Sequence, residues 1–482
     1  MKYGRRKMFI AGEWTDGVTG ETFPTIDPAT REVLAEVARG TEADIDRAVE
    51  AAERALNSPA WAGLPHAARG RLLNRIAALI RTHAEELAEM ETLDCGKPLS
   101  QSRADMETSA QYFEYYAGVA DKLFGRTIPI SSQYFDYTVR EPVGVTAHIV
   151  PWNFPLAIAS RGVAPALAAG NTVVLKPAEQ TPLTALRLGE LATEAGLPPG
   201  VLNVVPGFGH DAGARLAGHP RINHVTFTGS VETGIAVMKA AADNVVPVTL
   251  ELGGKSPNIV FADAHFEDAI AGAMKAIFSN AGQVCSAGSR LLVQQELHDR
   301  FVHELGRRTA TLRLGPGVDD PDLGPIVSEE QFRRVLHYIE LGKKEGAKVI
   351  TGGEPAAEGP LRRGFFVKPT LFDEVRNDMR IAQEEIFGPV LSILPFRDAD
   401  EALAIANGVS YGLVAAIWTR DIGTAHRLAA QIKAGQIFIN NYFGGGVATP
   451  FGGYKKSGFG REKGIESLQS YTQVKNVCVT LD

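Results

Sequence analysis

The sequence predicts an α/β fold. Three observations carry the prediction. Between Gly144 and Leu252, candidate strands alternate with candidate helices. A second run of the same kind extends from Ser256 to Asn441. The chain also holds 50 glycines among its 482 residues, which favours tight turns and close backbone approaches. Strand–helix alternation builds a mostly parallel sheet with helices on both faces. Such sheets bind ligands at the carboxyl ends of their strands.

Each element has its own signal. Ile45, Val49, Ala52 and Leu56 repeat at helical spacing, as do Leu72, Ile76, Ile80 and Leu87, so residues 45–92 are helix-rich. From Gly125 to Val145 the residues Ile128, Ile130, Tyr134, Phe135, Tyr137 and Val139 predict a β-ribbon. Strand candidates of the first alternating run are Val145–Val150, Thr172–Leu175, Val201–Val205, His224–Thr228 and Val246–Leu250. One helix among them is bounded by Thr181 as N-cap, Pro182 at the first helical position, Gly196 as stop and Pro198 beyond. In the second run the candidates are Ser256–Phe261, Arg290–Val293, Lys348–Thr351, Val390–Pro395, Val414–Trp418 and Gln436–Asn440. A glycine-rich segment, Asn441–Gly460, precedes a final strand in YTQVKNVCVTL.

Composition narrows the function classes. Hydrophobic residues make up 45% and charged residues 22%, the balance of a soluble globular protein. The net charge is −7 and no run of five or six like charges occurs, which argues against nucleic acid or a membrane surface as partner. No apolar run reaches the ~18 residues of a transmembrane helix, and the N-terminus lacks the apolar core of a signal peptide. Three cysteines, Cys95, Cys285 and Cys478, are too few for a disulfide framework and fit a reducing, cytoplasmic setting. No His, Cys or carboxylate spacing reads as a metal site.

Several residues stand out for their chemistry. Two glycine motifs follow strands: Gly207–Ala212 matches G-x-G-x-x-A, and Phe227–Gly234 opens a helix. Either is able to bring backbone N–H groups to a pyrophosphate, or to be an ordinary strand-to-helix turn. The second lacks the Lys-Ser/Thr ending of a nucleotide-hydrolysing loop. Cys285 lies among small residues in NAGQVCSAGS, open to close approach by a substrate, although an isolated cysteine is more often an inert core residue. Glu251 ends the apolar strand VVPVTLEL, at the sheet edge where ligands bind or where a carboxylate simply meets solvent. Asn153, in PWNFP, follows another strand end and has a turn-forming reading beside a functional one.

Together these motifs resemble the NAD(P)-dependent aldehyde dehydrogenases. PWNFP, LKPAEQTP, FTGS, LELGGKSP, the GQVC segment, EEIFGPV and PFGGYKKSGFGRE occur in that family's order, and ETLDCGKP extends the match towards the N-terminus. The resemblance implies a Rossmann-type cofactor domain (1–123 and 143–251), an α/β catalytic domain (252–460) and an oligomerisation element (124–142 and 461–482) pairing subunits as a homodimer or homotetramer. It implies Cys285 as nucleophile, Glu251 as general base and Asn153 as oxyanion donor. The cofactor contacts it implies are Val150, Pro151, Trp152, Lys176, Glu179, Gly209, Gly229, Ser230, Leu252, Glu385 and Phe387. Lys176 and Glu179 would hold the adenosine ribose, Gly229 and Ser230 the pyrophosphate, and Gly209 would lie near the adenine. Glu179 would favour NAD over NADP, because a 2′-phosphate meets like charge there. Glu462 matches a second acidic residue on the water and proton path.

The reaction so implied is oxidation of a small-molecule aldehyde to its acid. The thiol forms a thiohemiacetal, then a thioester that Glu251-activated water hydrolyses. A CoA-acylating relative does not need that base, and a non-catalytic structural relative would be expected to lose the site residues retained here. Substrate-pocket candidates are Phe154, Arg161, Phe443 and Phe451. Arg161 resembles the arginine of succinate-semialdehyde-type members and suits a distal carboxylate, or else pairs with a carboxylate of the protein. The second arginine of those members is Ser279 here.

Overall fold

A computed structural model describes residues 1–481. The first alternating run forms strand β1 (Val145–Ile149), helix α1 (Pro155–Ala169), β2 (Thr172–Lys176), α2 (Leu183–Glu194), β3 (Leu202–Val204), β4 (His224–Thr228), α3 (Val231–Ala242) and β5 (Val248–Glu251). These strands are short and buried because both sheet faces are covered. They pair in parallel in the order β5-β4-β1-β2-β3. Met8–Ile10 and Glu13–Thr15 add antiparallel strands at one edge, and Gly458–Phe459 adds one at the other, giving eight strands.

The order locates the binding crevice. From β1 the chain winds outward through β2 and β3, then returns to place β4 on the opposite side of β1. The switch point therefore lies between β1 and β4, and ligands bind outside the carboxyl ends at such a point. The segment following β1 carries PWNFP, and the segment following β4 carries Gly229 and Ser230.

The second run folds around another sheet. Its elements are β6 (Pro257–Val260), α4 (Phe266–Phe278), β7 (Arg290–Gln294), β8 (Lys348–Thr351), β9 (Thr370–Asp373), β10 (Val390–Phe396), β11 (Val414–Trp418) and β12 (Gln436–Ile439). The strand order is β8-β9-β10-β7-β6-β11-β12, parallel except for the β8–β9 pair. Separate apolar clusters fill the two sheets' surroundings. The ribbon Tyr134–Pro142 pairs with the last strand, Thr472–Thr480, in continuous antiparallel register from Thr472↔Pro142 to Thr480↔Tyr134. Asp482, the last residue of the expected oligomerisation element, lies outside the described residues.

Two expectations need correction. Strand β9 and the strands before Ala38 carry no strand expectation in the sequence, yet they form. The helix expected to start at Pro182 starts at Leu183, with Pro182 in the N-cap position and no cap from Thr181. The Thr181 hydroxyl has no hydrogen-bond partner. The Leu183 N–H donates instead to Asp94 Oδ2 at 3.1 Å, so a buried carboxylate from another helix does the capping.

Candidate active site

Cys285 sits on an irregular turn after α4. Asn280 and Ala281 adopt left-handed backbone conformations (φ 48° and 51°), and Gly282 follows at φ 74°. A Cβ on Gly282 would collide with the backbone of Gly388, so only glycine fits. The turn is tied down by polar side chains. Gln283 Nε2 donates to the Asn280 carbonyl at 3.1 Å, and Gln283 Oε1 accepts from Val327 N at 3.0 Å. Asn280 Nδ2 donates to the Asn153 carbonyl at 2.9 Å.

Asn153 and Glu251 reach the same place from the first sheet. Asn153 follows β1, and its Nδ2 donates to the Gln283 carbonyl at 2.9 Å, which links it to the cysteine turn. Its Oδ1 has no partner. Glu251 ends β5 opposite Thr228 of β4 and Gly458 of the edge strand. It is 1% exposed and neither carboxylate oxygen has a hydrogen-bond partner. Such orphaned groups are costly in a core and common where a ligand or water completes the set.

A cleft of about 390 Å³ opens between the sheets and contains all three residues. Its walls include Pro151, Trp152, Gly229, Ser230, Gly253, Glu385 and Phe387. Ser230 caps α3 by accepting from Thr233 N at 3.1 Å. Trp152 and Phe387 meet edge to face at 5.2 Å. Glu385 Oε1 accepts from Gly254 N at 2.9 Å.

The remaining expected contacts lie outside these walls. Lys176 and Glu179 sit past the end of β2 as an ion pair at 3.6 Å. Val150 N donates to the Lys176 carbonyl, and Leu252 is buried in the apolar cluster beneath α3. Gly209 begins a short turn with open space around its Cα. The first glycine motif thus follows β3, away from the switch point, while the second sits on it. Phe154, Phe443 and Phe451 pack on the same apolar cluster as Cys285.

Arg161 stands in one of its two expected settings, beside a carboxylate of the protein. It lies on buried α1 and its Nε forms an ion pair with Glu462 Oε2, while Nη2 donates to Thr228 Oγ1 at 3.2 Å. A buried guanidinium requires a carboxylate, and Glu462 supplies it.

Burial dominates the electrostatics. It pushes the Cys285 thiol up to about 12, with Glu251 and Glu385 adding to the rise and Arg161 opposing it. Burial and the neighbouring Glu462 raise Glu251 well above the carboxylate range, against the pull of Arg161, Arg461 and Lys463. Burial holds Glu385 at about 7.

Sequence reasoning missed the Glu330, Gln331 and Arg334 wall of the cleft, which comes from an amphipathic surface helix without a motif. It also missed Gln283 as the tie between Asn153 and the cysteine turn, although Gln283 stands inside the GQVC segment. Among the described residues no cluster suits a metal ion, and no helix is long and apolar enough to cross a membrane.

A thiol, a carboxylate and a carboxamide gathered at the switch point of a wound sheet, beside a ligand-sized cleft, define a cysteine-dependent α/β enzyme. The chain belongs to the aldehyde dehydrogenase family, whose model matches residues 14–477. The mitochondrial aldehyde dehydrogenase of Homo sapiens is 49% identical over 478 residues, covering 98% of this chain and 92% of that protein. The NAD+ complex of an aldehyde dehydrogenase from Bacillus cereus superposes with a TM-score of 0.97 at 49% identity, covering 99% of this chain and 97% of the other. Betaine aldehyde dehydrogenase from Staphylococcus aureus, also in complex with NAD+, gives 0.97 at 42% identity over 98% and 95%.

Proposed function

We propose that this protein oxidises an aldehyde to the carboxylic acid with NAD, through Cys285, Asn153 and Glu251. The observation that carries the reading is the convergence of those three groups on one cleft from three separate chain segments. The cleft residues fit a nicotinamide dinucleotide. The N-terminus of α3, opened by Gly229 and Ser230, favours a pyrophosphate. A Cβ on Gly253 would fill the space that Glu385 reaches into, so the backbone there is shaped for close approach. Lys176 and Glu179 are placed for the adenosine ribose, with Glu179 favouring NAD over NADP. Bound there, the cofactor supplies the hydride acceptor.

The chain's own residues do the rest. The Cys285 thiolate adds to the aldehyde carbon, and the Asn153 amide, which has a second N–H besides the one bonded to Gln283, stabilises the developing oxyanion. Loss of hydride from that adduct leaves a thioester on Cys285. Glu251 then takes a proton from water, and the hydroxyl released onto the thioester carbon frees the acid and the thiol. Steady NADH formation from an aldehyde without CoA tests this reading. Glu251→Gln should then give one fast burst of NADH, slow turnover by about 10²–10⁴-fold and leave an acyl-enzyme visible by mass spectrometry. Unchanged turnover, or turnover that needs CoA, contradicts it.

Domain roles follow the same reading. Residues 1–123 and 143–251 form the cofactor domain, 252–460 the catalytic domain, and 124–142 with 461–482 the oligomerisation element. The ribbon exposes Phe124, Ile130, Phe135 and Val479 to solvent in the single chain, which suits burial in a homodimer or homotetramer. The cytoplasm is the expected compartment, since its reducing conditions keep the thiol free.

A further inference from the structure

Asn280 is buried in the nucleophile turn with a left-handed backbone, which asparagine tolerates better than most residues. That backbone does not account for its carboxamide, because Ala281 holds a left-handed conformation beside it without one. Asn280 is anchored on both sides. Its N–H donates to Gln101 Oε1 at 2.9 Å, on the helix Leu99–Val119, and its carbonyl accepts from Gln283 N at 3.0 Å and Gln283 Nε2 at 3.1 Å. From that fixed point Asn280 Nδ2 donates to the Asn153 carbonyl at 2.9 Å, while Asn153 Nδ2 donates back to the Gln283 carbonyl at 2.9 Å. The two bonds run in opposite senses between the same two segments, so they hold both the backbone and the side chain of Asn153. They also decide which way the Asn153 amide faces. Turned by half a rotation, it would set Oδ1 against the Gln283 carbonyl, acceptor against acceptor. Asn153 and Cys285 line the same cleft, so the remaining N–H of Asn153 is aimed from a frame built on Asn280.

We infer that Asn280 is a positioning residue for the oxyanion donor: by holding the Asn153 carbonyl against the nucleophile turn, it keeps the second Asn153 N–H on the oxygen of the aldehyde that adds to Cys285. This rests on the aldehyde-oxidising reading above and extends it from the donor to the side chain that aims it. Asn280 stands behind the cleft wall rather than in it, so its effect reaches the substrate only through Asn153.

The test is a double-mutant cycle on the whole chain with NAD and butanal, read as single-turnover NADH formation. It uses wild type, Asn280→Gly, Asn153→Ala and the double variant. Glycine accepts the left-handed backbone at no steric cost, so the change removes the side chain alone. Asn280→Gly should slow NADH formation about ten- to a hundredfold with little change in the KM for butanal, because a small misplacement of a reacting group costs up to about 10²-fold. In the Asn153→Ala background the same change should cost less than about twofold, since residues that act as a unit are not additive. Carboxamidomethylation of Cys285 should keep its wild-type rate, because the thiol is untouched. A rate for Asn280→Gly within about twofold of wild type overturns the inference. So does a loss of equal size in both backgrounds, or a matching loss of alkylation rate. If Asn280→Gly does not fold, Asn280→Ser, whose side chain ends one bond short of the amide nitrogen, replaces it under the same criteria. A wild type that produces NADH from no aldehyde overturns the oxidation reading and this inference with it, whereas wild-type turnover with an additive cycle overturns this inference alone.

Discussion

At the scale of single residues, the site disfavours the reactive form of its own nucleophile. Half-buried in the cleft near two carboxylates, the Cys285 thiol is held far above neutral pH, while Arg161 and the Ser286 N–H pull it down. The thiolate is the species that reacts. Carboxamidomethylation of the free enzyme at Cys285 should therefore accelerate about tenfold per pH unit from about 7 to 9, because the thiolate fraction grows tenfold per unit while pH stays below the pKa. A rate that levels off below pH 8, measured by peptide mapping, would show an already ionised thiol. The same chemistry separates the three cysteines. Cys285→Ala should abolish aldehyde oxidation. Cys95→Ala and Cys478→Ala should keep most of it, since one is buried in a helix away from the cleft and the other is exposed on the ribbon. Near-normal turnover in Cys285→Ala would remove the covalent mechanism.

At the scale of elements, one helix serves the starts of two others. Glu91 and Asp94 stand on the helix Ala84–Cys95. Glu91 Oε2 accepts from Leu156 N of α1 at 3.0 Å, and Asp94 Oδ2 accepts from Leu183 N of α2. Lys97 closes the group by donating to Glu91 at 2.9 Å and Asp105 at 2.6 Å, and its Nζ lies 4.4 Å from the centre of the Phe154 ring. Asp94→Ala should cost about 1–3 kcal/mol, since Leu183 N–H and the Thr25 hydroxyl both lose a buried acceptor. Thermal unfolding checks this, and an unchanged midpoint would show that the cap carries no energy. This group also marks what the sequence makes legible. Strand β4 and the carboxyl ends that hold Asn153 and Glu251 follow from local apolar runs. The motif order also points to Cys285 among three cysteines. The Asp94 cap does not follow, because its partners stand 89 residues apart and local pattern favours Thr181. The Arg161–Glu462 pair is hidden for the same reason: only the fold brings α1 and the C-terminal turn together. Strand β9 is short and its apolar signal brief, so its parallel pairing with β10 is decided by the sheet rather than by its own residues.

At the scale of the whole molecule, buried histidines on the first sheet and buried acids elsewhere set opposing trends in stability with pH. His148 of β1 stacks on Tyr471 at 5.8 Å, and His224 of β4 meets the same ring edge-on at 5.4 Å. Burial lowers their pKa values to about 3 and about 4. A histidine free in the unfolded chain titrates near 6.5. Between about pH 6.5 and 4 the unfolded state therefore takes up protons that His224 in the folded state refuses, and stability falls as pH falls. The buried acids act the other way. Asp94 and Glu385, both raised to about 7 by burial, hold protons in the folded state that the unfolded chain has released, which favours folding as pH falls. The net slope of the wild type mixes these contributions, so the informative quantity is a difference between proteins. His224→Gln keeps a group able to bond Thr249 and removes one titration. Relative to wild type, the variant should gain about 1.4 kcal/mol for each pH unit lowered between about 6.5 and 4, with no further gain below that. Thermal midpoints of the two proteins across that range test it. A difference that stays constant with pH would mean that His224 carries its proton in the fold, and that the histidine–tyrosine cluster is not the dry core its geometry describes.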